Sequence, residues 1–146
     1  MGPDRDGILD VRKHAMARPK HSHPTPAELE VLQLLWQHGP STVRQVMERL
    51  HPRRPRGYTT VMSLLNVMHE KGLLKRKPDG RAFIYSARVD QAKTLKRMVG
   101  DLLSRAFQGS TSALVTHLLE QADPSEEELE VIRQVIANYG HEQGDD

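Results

Sequence analysis

The side chains with the clearest chemistry in this sequence are small hydroxyl and amide groups within residues 59–71. They are Thr59, Thr60, Ser63 and Asn66. Apolar residues recur among them at the three-and-four spacing of a buried helical face: Val61, Leu64, Leu65 and Met68. Hydroxyl and amide groups in the first turns of a helix can hydrogen-bond base edges in the major groove of DNA. Thr and Ser also cap ordinary helices, so this pattern is weak by itself.

Basic residues occur on both sides of this segment and extend the set of predicted DNA contacts. The full set is Thr42, Arg44, Arg53, Arg54, Arg56, Tyr58, Thr59, Thr60, Ser63, Asn66, Lys75, Lys77 and Arg81. Arg76 adds a further cation beside the last three. Lysines also protect solvated sheet edges, which would explain an isolated basic hairpin. Next to a candidate DNA-reading helix, phosphate contacts are the better interpretation.

Charge is divided unevenly along the 146 residues, whose net charge is +2. Residues 26–88 carry 11 cationic and 5 anionic side chains, whereas residues 89–146 carry 5 and 11. A basic segment suits the phosphate backbone, where counterion release drives binding, and an acidic segment is repelled from it. Without the motifs, chance clustering of surface charge would be an alternative.

Several protein classes are excluded or disfavoured by what the sequence lacks. It has no cysteine, which excludes disulfides, thiolate catalysis and cysteine-based metal sites. His14, His21 and His23 form at most a weak metal pattern, and solvated histidines are the better interpretation. The acids and histidines show no catalytic spacing, so we expect neither an enzyme nor a cofactor. No run approaches the roughly 20 apolar residues of a membrane span. The sequence therefore predicts a cytoplasmic protein without a membrane partner.

Three helices and a hairpin are predicted in the basic segment. Thr25-Pro26-Ala27-Glu28 is a strong helix start, and His38-Gly39-Pro40 ends that helix. Ser41-Thr42 opens a second helix, and the third covers roughly 59–71. Residues 73–77 and 82–86 flank Pro78-Asp79-Gly80-Arg81, in which Asp-Gly is expected to supply the positive φ angles of a hairpin turn. The pattern predicts a mainly α fold of the winged helix-turn-helix type.

The acidic segment contains three apolar stripes at helical spacing. Its predicted dimerisation residues are Leu95, Val99, Leu102, Leu103, Leu114, Leu118, Leu129, Ile132 and Ile136. A segment this short buries too little surface alone, so we expect a second copy to share its apolar faces. Packing on its own winged domain as a monomer is the alternative. The predicted organisation is a flexible tail (1–24), a winged-helix domain (25–88), a helical dimerisation region (89–139) and a flexible tail (140–146).

Several motifs occur together in a characteristic order. They are Thr25-Pro26-Ala27-Glu28-Leu29-Glu30-Val31-Leu32, Leu35-Trp36, Thr42-Val43-Arg44-Gln45-Val46, Tyr58-Thr59-Thr60-Val61-Met62, Glu70-Lys71-Gly72-Leu73-Leu74, Gly80-Arg81 and Phe83-Ile84-Tyr85. In this order and spacing the sequence resembles the BlaI/MecI/CopY repressors over roughly residues 25–139. The resemblance implies a homodimeric transcriptional repressor that binds a pseudo-palindromic double-stranded DNA operator. A winged-helix protein-interaction module is the alternative function, because the fold alone does not fix the function.

The sequence also departs from the pattern of that family. Val67 stands where an arginine is usual, and the cysteines of the copper-responsive members are absent, so copper sensing by that route is not expected. In the penicillinase repressors, induction involves cleavage at an Asn-Phe bond. His117-Leu118 stands at the corresponding place in this sequence. A regulatory protease therefore remains an open partner.

Overall fold

The computed structural model describes residues 23–144, so residues 1–22 and 145–146, with His14 and His21, lie outside the described part. The elements in order are α1 (Pro26–His38), β1 (Ser41–Thr42), α2 (Val43–Leu50), α3 (Tyr58–Glu70), β2 (Leu74–Asp79), β3 (Ala82–Ala87), α4 (Gln91–Ala106), α5 (Thr111–Ala122) and α6 (Glu126–Gly144). Three helices followed by an antiparallel hairpin confirm the predicted winged helix-turn-helix. The helices α1, α2 and α3 begin and end within one or two residues of their predicted bounds.

Capping residues start the first two helices. The Thr25 hydroxyl accepts a hydrogen bond from the Glu28 backbone N–H, and the Glu28 carboxylate accepts one from the Thr25 N–H. Thr42 and Gln45 form the same reciprocal pair at the start of α2. Each pair satisfies two backbone donors that a helix start leaves without a partner. The helix start predicted at Thr25 is confirmed.

Three strands form the sheet, in the order β1-β3-β2. Strand β1 was not predicted, because Ser41-Thr42 was assigned only to the start of a helix. Ser41 pairs with Tyr85 and Thr42 with Ile84. Two residues are too few to show the alternation by which a strand is recognised in a sequence.

The hairpin turn differs from the prediction by one residue. Asp79 pairs with Ala82 inside the ladder, so the two loop residues are Gly80 and Arg81. Only Gly80 has a positive φ, of 63°, whereas Asp-Gly was expected to supply two such angles. A two-residue loop with a positive φ at its first position suits the twist of a hairpin. Pro78 is tolerated within β2 because β2 is an edge strand of this sheet.

The core of this part of the chain is aliphatic. Its buried apolar residues are Val31, Leu32, Leu35, Val43, Val46, Leu50, Val61, Leu65, Met68, Leu73, Leu74 and Tyr85. Val31, in the middle of α1, is fully buried. Trp36 is half-buried against this core and donates its indole N–H to the Val89 carbonyl at 3.0 Å. The inner faces of α1, α2 and α3 therefore meet the hairpin in one apolar interior.

One ion pair joins the start of α1 to the end of α3. The Glu28 residue is only 2% exposed, and its carboxylate accepts a hydrogen bond from the Lys71 ammonium at 2.8 Å. Burial by itself raises the pKa of a carboxyl group. Here the Lys71 charge and the hydrogen bonds from Lys71 and Thr25 outweigh burial and hold the pKa of Glu28 below its usual value of 4.5.

Two compact units divide the chain within α4, the first ending at Met98 and the second beginning at Val99. No residue of α4, α5 or α6 is fully buried. Ser125 accepts a hydrogen bond from the Glu128 N–H at the start of the last helix, whose first turn is acidic. That helix continues to Gly144, so residues 140–144 are helical and the predicted tail there is wrong. No proline interrupts the helix, and a glycine at 140 costs it only about 1 kcal/mol.

None of the helices within residues 23–144 has the length and apolar character needed to span a membrane.

Replacing Glu28 with Gln tests the buried ion pair. We expect the free energy of unfolding at pH 7 to fall by about 1–3 kcal/mol, because Lys71 loses its charged partner while remaining partly exposed to water. The folded-state pKa of Glu28 is the lower one. The contribution of the pair is therefore present above the unfolded pKa and is lost as the pH falls through the folded-state value. Urea unfolding of wild type and variant at pH 7 and pH 3 measures both effects.

Glu48→Gln is the matched control, because Glu48 is exposed on α2. This control should leave the unfolding free energy within about 0.5 kcal/mol of wild type. Equal losses in the two variants, or a Glu28→Gln protein whose stability falls with acid as steeply as that of wild type, would contradict the assigned role.

Candidate nucleic-acid interface

Burial of one face of α3 determines which of its residues reach solvent. Val61, Leu65 and Met68 are fully buried. Thr59 and Ser63, one turn apart, are exposed on the opposite face. Thr60 is also exposed, about 100° around the helix from Thr59. The structure thus presents the predicted hydroxyl groups to solvent near the start of the helix.

The start of α3 can also receive a phosphate. Gly57 is its N-cap residue, and no described side chain caps the helix. The backbone N–H groups of the first turn therefore point outward at the positive end of the helix dipole. Such a terminus attracts anions. Arg56 and Tyr58 flank it, Arg56 half-buried and Tyr58 exposed.

Other predicted phosphate contacts precede α3. Arg44 on α2 is exposed, as are Arg53 and Arg54 in the following turn. The Arg54 guanidinium lies 3.8 Å from the Glu30 carboxylate, but the Arg54 side chain is still 61% exposed. A pair this long and open to water holds the arginine only weakly. The Thr42 hydroxyl accepts the cap hydrogen bond of α2 with one lone pair, which leaves its proton and a second lone pair for DNA.

The hairpin carries the remaining predicted contacts. Lys75 and Lys77 are exposed on β2, and Arg81 is exposed in the turn. Because side chains alternate across a strand, Lys75 and Lys77 share one face and Arg76 lies on the other, beside buried Leu74. The hairpin, hereafter the wing (residues 74–87), therefore directs Lys75, Lys77 and Arg81 away from the Leu74 face, whereas Arg76 lies on that face and is also exposed.

Two of the predicted polar residues have partners inside the protein. The Oδ1 atom of Asn66 accepts hydrogen bonds from Arg76 at 3.0 Å and from the Tyr85 hydroxyl at 2.9 Å. The Arg76 guanidinium also lies over the Phe83 ring, 4.3 Å from its centroid. Arg76 was predicted as a wing cation facing phosphate, whereas its hydrogen bonds are to other residues of the same unit. The two-residue alternation from Leu74 indicates that Arg76 lies on the same face of β2 as Leu74, but it does not indicate which residues Arg76 contacts.

All thirteen predicted DNA-contacting residues lie in the first unit, and none of them is fully buried. The predicted dimerisation residues differ in exposure. Those that are exposed are Leu95, Val99, Leu102, Leu118 and Ile136, and those that are half-buried are Leu103, Leu114, Leu129 and Ile132. Sequence reasoning omitted Val131 from the stripes, although its side chain is exposed on α6. Val131, Val135 and Tyr139 are four residues apart, and this helical spacing was the sequence signal for it.

Known proteins are similar to this chain along most of its length. A family model described as Penicillinase repressor matches residues 24–138. The Penicillinase repressor of Bacillus licheniformis is 26% identical over 113 residues, which cover 77% of this chain and 88% of the relative. The Transcriptional regulator BlaI of Mycobacterium tuberculosis is 33% identical over 118 residues, covering 78% and 84%.

One similar solved structure is that of the Bacillus licheniformis BlaI monomeric form in complex with the blaP half-operator. It is 27% identical, with a TM-score of 0.43, and the match covers 49% of this chain and 87% of that chain. Together, the family model over residues 24–138 and the relatives over more than three quarters of the chain establish the family. This chain belongs to the penicillinase repressor family, whose members are transcriptional repressors and not enzymes.

Proposed function

We propose that this protein is a homodimeric transcriptional repressor that binds a pseudo-palindromic operator in double-stranded DNA. The observation that carries the proposal is the exposed hydroxyl face of α3, flanked by the basic turn before it and the basic wing after it. A repressor of this kind excludes other proteins from the DNA that it occupies. Because its ligand is chromosomal DNA, we expect the protein in the cytoplasm.

The DNA contacts divide into two classes by their chemistry. Thr59 and Ser63, exposed at the start of α3, are suited to base edges in the major groove, where hydroxyl groups hydrogen-bond and the threonine methyl packs on thymine. The exposed cations of α2, the basic turn and the wing are suited to phosphates. They are Arg44, Arg53, Arg54, Lys75, Lys77 and Arg81. Base contacts give sequence preference, and phosphate contacts give salt-dependent affinity.

A second copy of the chain is the proposed occupant of the apolar surface on α4–α6. Val99, Leu118 and Ile136, one on each of these helices, are 56%, 59% and 61% exposed, so each helix leaves aliphatic surface in contact with water. Residues 89–146 carry a charge of −6, so DNA is not a suitable partner for this surface. A twofold dimer would present two copies of α3 to inverted half-sites about 10–10.5 base pairs apart, or a multiple of that.

The inducing signal is a separate question. His117 and Leu118 lie within α5, and the His117 ring packs against Phe107 with 5.2 Å between ring centroids. This pair of residues differs from the Asn-Phe bond that is cleaved in penicillinase repressors. Because of this difference, we do not propose a regulatory protease for this protein.

Thr59→Ala and Arg81→Ala test the two classes of DNA contact. Thr59→Ala should weaken binding to the preferred operator by about 1–3 kcal/mol and change binding to random duplex little, because it removes a base contact. Arg81→Ala should weaken binding to both duplexes alike and reduce the salt slope by about 1, because it removes a phosphate contact. Titrations of operator and random duplex between 50 and 200 mM salt measure both effects.

Glu127→Gln is the control for these titrations, because this exposed carboxylate lies in the acidic segment. It should bind both duplexes as wild type does. Loss of binding that is identical for Thr59→Ala and Arg81→Ala on both duplexes would remove the assigned roles. Salt-independent binding would favour the protein-interaction module instead, because apolar docking releases few counterions.

Leu118→Glu tests the proposed dimer. Placing a carboxylate in a shared apolar surface should shift the protein from dimer to monomer at micromolar concentration, because the charge would be buried without a partner. Operator affinity should fall by roughly 10²–10⁴, the avidity gained by joining two weak binders, while half-site affinity stays unchanged. Sedimentation and titrations with full operator and single half-site measure these effects.

Thr116→Glu introduces the same charge on the same helix and serves as the matched control. Thr116 lies two residues from Leu118, on the other side of the helix, and is exposed. It should leave the dimer intact. A wild-type protein that sediments as a monomer at micromolar concentration would refute the dimer.

A further inference from the structure

We propose that Asn66 is a positioning residue that holds the wing against α3 and thereby sets where the wing cations meet the DNA backbone. The proposal rests on the DNA binding proposed above. It assigns Asn66 a role inside the protein, whereas the sequence alone suggested a direct DNA contact. The observations that carry it are the hydrogen bonds at the Asn66 side chain and the elements from which they come.

The chemistry of the donors fixes the orientation of the Asn66 amide. A guanidinium can only donate hydrogen bonds, so the Asn66 atom that faces Arg76 at 3.0 Å must be the carbonyl oxygen. The Tyr85 hydroxyl donates to the same oxygen at 2.9 Å. Both lone pairs of Oδ1 are thus engaged within the protein. The arginine bond is charge-assisted and is therefore the stronger of the two.

These two donors come from different strands of the wing. Arg76 lies on β2 and Tyr85 on β3, and their Cα atoms are direct partners across the ladder. One side chain of α3 therefore holds both strands at the same level of the hairpin. Tyr85 is only 1% exposed, so its ring is anchored in the core while its hydroxyl reaches Asn66. The Arg76 guanidinium is held further by the Phe83 ring beneath it.

Because this network lies well before the turn of the hairpin, it affects the position of the wing tip. From Arg76 to the turn at Gly80 and Arg81, β2 extends on the order of 10 Å at about 3.3 Å per residue. A small rotation of the hairpin about this network therefore displaces Arg81 at the tip by a few ångströms and Lys77, which is nearer the network, by less. A charge-assisted hydrogen bond to phosphate requires about 2.7–2.9 Å between donor and acceptor atoms. Loss of the network should therefore cost phosphate contacts at residues that remain unchanged.

Four variants of the full-length protein, one of them a control, separate this role from a direct DNA contact. Asn66→Ala removes the acceptor, whereas Asn66→Asp keeps an acceptor for Arg76 and Tyr85 but removes the amide donor that could read a base. Val67→Ala is the matched control, because Val67 is the next residue of α3, is exposed and is not among the proposed DNA contacts. Amide hydrogen exchange of the wing in free protein and the salt slope of operator binding are measured for each.

We expect Asn66→Ala to accelerate exchange of the wing amides by about tenfold or more and to lower the salt slope by about 1–2. Asn66→Asp should keep the exchange rate of the wing and the salt slope close to those of wild type, although its added negative charge lowers the affinity for DNA. Val67→Ala should leave wing exchange and the salt slope unchanged. Tyr85→Phe, which removes one of the two donors, should give an intermediate acceleration of exchange.

The proposal would be overturned if the wing amides of Asn66→Ala exchanged at the wild-type rate. So would an Asn66→Asp protein that matches Asn66→Ala in both measurements, because the amide donor would then be the group that matters. Hydrogen exchange is measured without DNA, so it tests the attachment of the wing separately from the proposed function. If wild type failed to bind duplex DNA, the proposed function would fail while exchange still decided whether Asn66 holds the wing.

Discussion

The rotation of α3 about its own axis is the constraint on which the rest of the structure depends. Val61, Leu65 and Met68 are fully buried, and a helix turns by about 100° per residue. Thr59 and Ser63 therefore face solvent. A shift by one residue would expose apolar side chains and bury hydroxyl groups without partners, which costs several kcal/mol. The requirements of the core thus select the surface that is presented to DNA.

Polar contacts fix the relative positions of elements that the apolar core alone would allow to vary. Aliphatic side chains of similar volume can pack in more than one way, whereas a buried carboxylate tolerates few positions for its partner. Glu28 and Lys71 connect the start of α1 to the end of α3 at 2.8 Å. Asn66 connects the middle of α3 to the wing. Both contacts involve the helix proposed to enter the groove, so its placement is specified at two points along its length.

How far the sequence predicted the structure depended on the range of the interactions involved. The caps at Thr25 and Ser125 are contacts three residues apart and could be recognised directly. The pairing of Arg76 with Asn66 could not, because it depends on strand register and on how the hairpin packs against a helix ten residues earlier. Strand β1 was missed for the same reason, since Ser41 becomes a strand residue only by pairing with Tyr85. In the interface, the exposed hydroxyl groups of α3 were predictable, but the internal partners of Asn66 were not.

Dimerisation and DNA binding would support each other thermodynamically in the proposed repressor. The exposed aliphatic side chains of α4–α6 are unfavourable in water, so association of two chains removes apolar surface from solvent. Operator DNA binds two winged units at once and therefore favours the dimer, just as the dimer favours the operator. Because residues 89–146 are acidic, this segment gains nothing by approaching phosphate. In the proposed repressor, the opposite charges of the two segments would direct the basic one to DNA and leave the acidic one for the second copy.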